Sequence, residues 1–156
     1  MNTKKINILN YKHDYSHYFE EYNKEWIEKD FSLEPKDKYV LENPEEAIIM
    51  SGGKILFAEL DGSIIGTVAL MKISDEIVEL TKMAVGRKWQ GLGAGRLLCS
   101  SAISEAKKMN FKKIILYSNT RLERALELYR KLGFIELPSE DGMYQRANIK
   151  MGISLI

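Results

Sequence analysis

Apolar residues recur along this chain with two periods, and the switches between them lay out the elements. Residues 13–29 carry Tyr15, Tyr18, Phe19, Tyr22 and Trp26 at three- and four-residue steps, the spacing of one helix face. The same step governs residues 97–109, and residues 122–132, where Ala125, Leu128, Tyr129 and Leu132 share a face. Residues 54–60, 64–73 and 77–85 are short apolar runs separated by Asp61-Gly62 and by Ser74-Asp75-Glu76, which predicts three strands joined as a meander. A short strand is expected over residues 4–9, and another over 113–118, where the intervening helix calls for a parallel crossover. Pro35 and Pro44 punctuate a polar region that predicts short helices over 35–41 and 44–50. Gly133 caps the helix before it, and closing strands are expected over 134–137 and 143–151, around a loop with Pro138 and Gly142. With no linker, repeat or low-complexity tract, the chain reads as one α+β domain over residues 1–156.

The third strand of the meander runs into a glycine-rich turn, Gln90-Gly91-Leu92-Gly93-Ala94-Gly95-Arg96, that opens the helix over 97–109. The first N–H groups of a helix lack intrahelical partners and sit at the positive end of its dipole. Gly91, Gly93 and Gly95 remove side chains that would hold a phosphate off, so the turn suits an anion. It is not a P-loop, because Arg96-Leu97 stand where Lys-Ser/Thr would follow, which disfavours a nucleotide-binding domain. Its glycines also fall at first, third and fifth places rather than those of a dinucleotide fingerprint.

This turn, with Leu128-Tyr129-Arg130-Lys131-Leu132-Gly133-Phe134 about thirty residues later, resembles the GCN5-related N-acetyltransferase (GNAT) family. The closely similar stretch covers residues 79–134, and the flanks follow the family's element order more loosely. The resemblance implies a mixed, mostly antiparallel sheet of six to seven strands flanked by about four helices. It also implies transfer of acetyl from acetyl-CoA to a primary amine, by direct attack and without a metal. Main-chain groups of Met83, Ala84 and Val85 would then meet the pantetheine arm, and N–H groups from Gln90 through Gly91, Leu92, Gly93, Ala94 and Gly95 to Arg96 would meet the pyrophosphate. By the same resemblance Tyr129 is the general acid and Glu79 a candidate base. Read from pattern alone, Tyr129 is a core aromatic and Glu79 a strand carboxylate beside Lys82. Strict alternation would put Glu79, Thr81, Met83 and Val85 on one face. Many members carry an asparagine where this chain has Leu122; Asn119 either takes its place or forms a turn. A non-catalytic acyl-CoA-binding or sensing module on the same fold is the alternative.

Composition narrows the partners. Lys and Arg number 23 against 22 Asp and Glu, so no basic field points to nucleic acid. Cys99 is the only cysteine, which suits a reducing, cytoplasmic setting, and it reads as a small buried hydrophobe. No signal peptide and no membrane span are expected. His13 and His17 match a metal pair in spacing only. Arg87, Lys88 and Arg96 are either phosphate contacts or an ordinary solvated face. The acceptor is expected to be a small-molecule or peptide amine, walled by the aromatics of residues 15–26 and by the segment around Arg146, which could clamp a carboxylate or lie at the surface. A homodimer is the expected assembly, if any.

Overall fold

The computed structural model describes residues 5–139 and 146–156. They form a seven-stranded sheet in the order β1-β2-β3-β4-β5-β7-β6. Its strands are β1 (Asn7–Asn10), β2 (Lys54–Leu60), β3 (Ser63–Lys72), β4 (Ile77–Val85), β5 (Lys113–Ser118), β6 (Ile135–Leu137) and β7 (Ile149–Ser154). The helices are α1 (Ser16–Asp30), α2 (Pro35–Glu42), α3 (Ala94–Lys108) and α4 (Glu123–Lys131), with a π-helical turn at Glu45–Ile49. All pairings are antiparallel except β4 with β5, where α3 makes the crossover. Among the described residues no helix is long and apolar enough to cross a membrane.

Two expectations shift. The last strand begins at Ile149 and runs to Ser154, because residues 146–148 form an irregular entry segment; residues 140–145 of the expected loop and strand lie outside the described residues. Helix α3 begins at Ala94, three residues before its apolar periodicity, so Gly95 belongs to its first turn.

The sheet separates two apolar layers, as period-two alternation requires. On one face Leu98, Cys99, Ala102 and Ala106 of α3, with Leu126 and Tyr129 of α4, pack on Val68, Leu70, Val78, Leu80, Leu116 and Met151. The small α3 residues let that helix lie close to the sheet. On the other face Phe19 and Ile27 of α1 and Val40 and Leu41 of α2 cover Ile55, Phe57 and Ala69. Each such large side chain, fully withdrawn from water, contributes about 1.5–3 kcal/mol.

Two departures from regular pairing shape the middle of the sheet. Strands β4 and β5 share only the pairs Ile77 with Lys113, Val78 with Ile114 and Glu79 with Ile115, and then separate. Strand β4 also carries a bulge: Thr67 pairs with Ala84 and Ala69 with Thr81, so Lys82 and Met83 together oppose Val68.

Candidate active site

A cavity of about 180 Å³ lies where β4 and β5 part. Leu80, Thr81, Lys82 and Met83 line it from β4, and Tyr117, Ser118 and Asn119 from the end of β5. Leu122, Ala125 and Tyr129 close one side, and Trp26, Phe31, Arg146 and Ala147 form the other. Splaying leaves strand edges without a neighbour, so the cleft offers main-chain N–H and C=O groups to an extended ligand.

The bulge turns on Lys82, whose φ of 54° lies in the left-handed region. For a residue with a Cβ that conformation costs on the order of 1–3 kcal/mol, so the surroundings must hold it. Two side chains do so: Asn23 Nδ2 of α1 donates to the Lys82 carbonyl at 3.1 Å, and Asp37 Oδ1 of α2 accepts from Lys82 Nζ at 2.8 Å. Because the bulge adds one residue, the strand's faces exchange across it. Glu79 and Thr81 pair with Met71 and Ala69, and Ala84 pairs with Thr67, on the face covered by α1 and α2. Val85, opposite Gly66, and Met83 belong to the α3 side. The expected single face of Glu79, Thr81, Met83 and Val85 is therefore corrected.

Asp37 is fully buried and central to an ionic cluster. Its Oδ1 accepts from Lys82 Nζ and from Arg146 Nη2, both at 2.8 Å; its Oδ2 accepts from Arg146 Nη1 and, at 3.1 Å, from the Glu34 N–H. Arg146 Nη1 also donates to Glu34 Oε2 at 3.0 Å, and its guanidinium lies over the Trp26 ring. Burial works to raise the Asp37 pKa, but the Arg146 hydrogen bonds and the Lys82 charge outweigh it and hold the carboxyl below its ordinary value. Burial lowers the Lys82 pKa despite its Asp37 partner. Arg146, expected either at the surface or as a carboxylate clamp, is largely buried and already holds two carboxylates of the protein.

Glu79 is 1% exposed, does not line the cavity, and its Oε1 has no hydrogen-bond partner among the described residues. Burial pushes its carboxyl pKa up, with Lys82 and Lys36 opposing the shift. Tyr129 lines the cavity and has no hydrogen-bonded partner among the described residues; its ring packs edge-on to Phe134 at 5.7 Å. Burial raises its pKa far above that of a free phenol, so the hydroxyl keeps its proton.

The glycine turn begins with Gln90, whose Nε2 donates to the Val85 carbonyl at 3.4 Å and ties the turn to β4. Gly91 and Gly93 have φ of 84° and 89°, a conformation that excludes most side chains, and Leu92 between them is exposed. Gly93 is the N-cap of α3, where no side chain caps the first N–H groups. At Gly95 the backbone is ordinary, and an added Cβ would meet only Val85 Cγ2, at 4.0 Å. The protein's own packing does not demand glycine there; a phosphate group lying against the turn would. Ala94 is buried beneath the turn, and Arg96, Arg87 and Lys88 are exposed beside it. The residues present thus fit a pyrophosphate.

Asn119 lines the cavity, but its Nδ2 donates to the Arg146 carbonyl at 2.6 Å and its Oδ1 accepts from the Arg121 N–H at 2.9 Å. Those contacts are those of a turn-former that also anchors the entry to β7. Cys99 is buried beneath α3 with its thiol pKa pushed up to about 12. His13 binds Glu45 Oε1 at 2.7 Å and His17 stacks on Tyr18; no group of three or more metal-ligating residues occurs among the described residues. Asn23, Glu34, Asp37 and Lys82 escaped the sequence reading. The only signal for them was a lysine inside a largely apolar strand, at the alternate position to Glu79 and Thr81.

A profile of the acetyltransferase (GNAT) family matches residues 12–134. A probable N-acetyltransferase, camello, of Xenopus tropicalis is 30% identical over 93 residues, which are 58% of this chain and 42% of that protein. The chain thus spans less than half the length of that curated relative. Among solved structures, an acetyltransferase of the GNAT family from Staphylococcus aureus Mu50 superposes with a TM-score of 0.85 at 26% identity, over 97% of this chain and all of the other. The putative acetyltransferase yncA of Salmonella typhimurium, solved with its cofactor acetyl-CoA, gives 0.79 at 19% identity, over 97% and 94% of the two chains.

Proposed function

The chain belongs to the GNAT acetyltransferase family, and from that premise we propose that it moves the acetyl group of acetyl-CoA to a primary amine by direct attack. The observation that carries the proposal is Tyr129, set in the wall of the β4–β5 cleft with its hydroxyl protonated and without a partner among the described residues. In the reaction the amine nitrogen bonds to the thioester carbon, the carbon–sulfur bond breaks, and sulfur departs carrying negative charge. A phenol held far above a thiol's pKa of about 8.5 does not surrender its proton to that sulfur. Tyr129 instead stabilises the departing charge by donating a hydrogen bond, and the proton that the attacking amine loses, carried through solvent, is the one the sulfur finally takes. The exposed edge of residues 83–85 holds the pantetheine amides, and the N–H groups of residues 91–96 hold the pyrophosphate.

Glu79 lies behind the cavity wall, so the amine's proton passes to solvent rather than to this carboxylate. The engaged side chain of Asn119 leaves the main chain as the chief grip on the pantetheine arm. The test is release of free thiol from acetyl-CoA across a panel of amines, beside calorimetric titration of CoA. Amine-dependent release supports acetyl transfer. CoA binding with no release from any amine favours the sensing module, and no CoA binding refutes both.

A further inference from the structure

On the buried face of α1 an asparagine, Asn23, stands between Phe19 and Ile27 and is fully withdrawn from solvent. A buried amide costs free energy unless it is bonded, and a leucine of similar size would pack there without that cost. Both amide hydrogens and the oxygen of Asn23 are engaged. Its Nδ2 donates to the Phe19 carbonyl at 2.9 Å and to the Lys82 carbonyl at 3.1 Å, and its Oδ1 accepts from Trp26 Nε1 at 3.0 Å. The Trp26 bond fixes which end of the amide faces the sheet. The Phe19 and Trp26 bonds stay within α1, so the contact that reaches the sheet is the one to the Lys82 carbonyl, at the bulge.

That carbonyl shares a trans peptide with the Met83 N–H, so holding it toward α1 aims the N–H the opposite way. Alternation along the strand agrees. The Gly86 N–H donates to the Ile65 carbonyl of β3 at 2.9 Å, and the Val85 carbonyl is turned away from β3 to accept from Gln90. Two residues earlier, the Met83 groups are likewise turned away from β3, into the gap that β5 leaves. Met83 lines the cavity with Tyr129, and Ala84 and Val85 do not, so its N–H is the edge group at the reacting end. On the reading of this cleft as an acetyltransferase site, we infer that Asn23 is a positioning residue: through the Lys82 carbonyl it sets the Met83 N–H to donate to the thioester carbonyl oxygen. As the amine bonds to the thioester carbon, the π electrons of the carbonyl move onto that oxygen, and they return as the carbon–sulfur bond breaks. A donor fixed beforehand stabilises that charge without reorganising. Trp26 lines the cavity and orients Asn23, so one helix sets both the cleft wall and the donor.

The experiment reads the carbonyl directly, by infrared difference spectroscopy of bound acetyl-CoA isotope-labelled at the thioester carbonyl carbon, beside calorimetric titration of CoA, in the wild type and in Asn23→Leu. We expect the bound carbonyl to stretch at a higher frequency in the variant, where the donor is no longer held in place, with CoA affinity changed less than threefold. The same frequency in a folded variant overturns the inference and leaves the acetyltransferase reading standing. So does a loss of CoA affinity beyond threefold, which would make Asn23 a support of the whole strand edge. Failure of the wild type to bind acetyl-CoA overturns both. If Asn23→Leu does not fold, Trp26→Phe decides, because it keeps an aromatic ring and removes the bond that orients Asn23; an upward shift supports the inference and an unmoved stretch overturns it. With an amine turned over in the thiol-release panel, kcat should fall about 10²-fold in Asn23→Leu, the cost of a misplacement of about 1 Å, and an unchanged kcat also overturns the inference.

Discussion

Removing the Asp37 carboxylate tests how the cleft is held open in its working shape. In Asp37→Ala the Lys82 ammonium, whose side chain is 1% exposed, and the Arg146 guanidinium, 13% exposed, face each other without their shared anion. Breaking a buried pair by deleting one partner costs about 3–5 kcal/mol, chiefly the penalty of the charge left behind. Arg146 keeps Glu34 at 3.0 Å, so Lys82 bears most of that penalty. For a chain of this size the loss corresponds to a melting temperature lower by about 6–20 °C. Urea denaturation at neutral pH measures it directly. Lys82→Met supplies the control, because a methionine buries without charge; the double variant should be less destabilised than the two single losses summed, by about 1 kcal/mol or more. A loss below about 1 kcal/mol in Asp37→Ala, or strict additivity, would refute the reading that Asp37 neutralises Lys82 at the bulge. The pH dependence gives an independent measure. Asp37 has its folded pKa below the ordinary 3.8, so its contribution is present above that value and disappears as pH falls through the folded pKa. The wild type should lose stability on acidification in that range more steeply than Asp37→Ala does.

Other substitutions address the remaining parts of the site. Tyr129→Phe should lower kcat by about 10²–10³-fold, as loss of one donor to a developing charge does, with CoA affinity by calorimetry nearly unchanged; equal kcat would remove Tyr129 from the chemistry. Gly95→Ala should weaken CoA binding tenfold or more while the melting temperature does not fall, since the added Cβ meets only Val85 Cγ2, at 4.0 Å; intact CoA affinity would place the phosphates elsewhere. Glu79 has its pKa raised above the ordinary 4.5, so folding is favoured while it is protonated and that advantage is lost as pH rises through the folded value. Glu79→Gln should therefore flatten the decline in stability above about pH 4.5 and alter kcat/KM less than threefold; a hundredfold loss of activity in the folded variant would make it the base.

What could be read from the chain and what could not divide along physical lines. The place of the glycine turn before α3 and of Tyr129 on the inner face of α4 were legible because each depends on a few adjacent residues: glycines where φ is positive, and an aromatic at helical spacing ahead of Gly133. The strand order around β4 and β5 followed from hairpin turns and one helical crossover, both local rules. The bulge was not legible, since strict alternation can be drawn through every residue of β4 and nothing local marks where one residue is inserted. A single inserted residue then reversed every face assignment across it, which is why Glu79 and Met83 parted company. The partners that stabilise the bulge lie 45 and 59 positions away, at Asp37 and Asn23, and Arg146 lies 109 from Asp37. No periodicity encodes contacts at that range. They arise only when two helices and the entry to β7 converge on the gap between β4 and β5, so the ionic cluster that holds the cleft wall belongs to the tertiary structure alone.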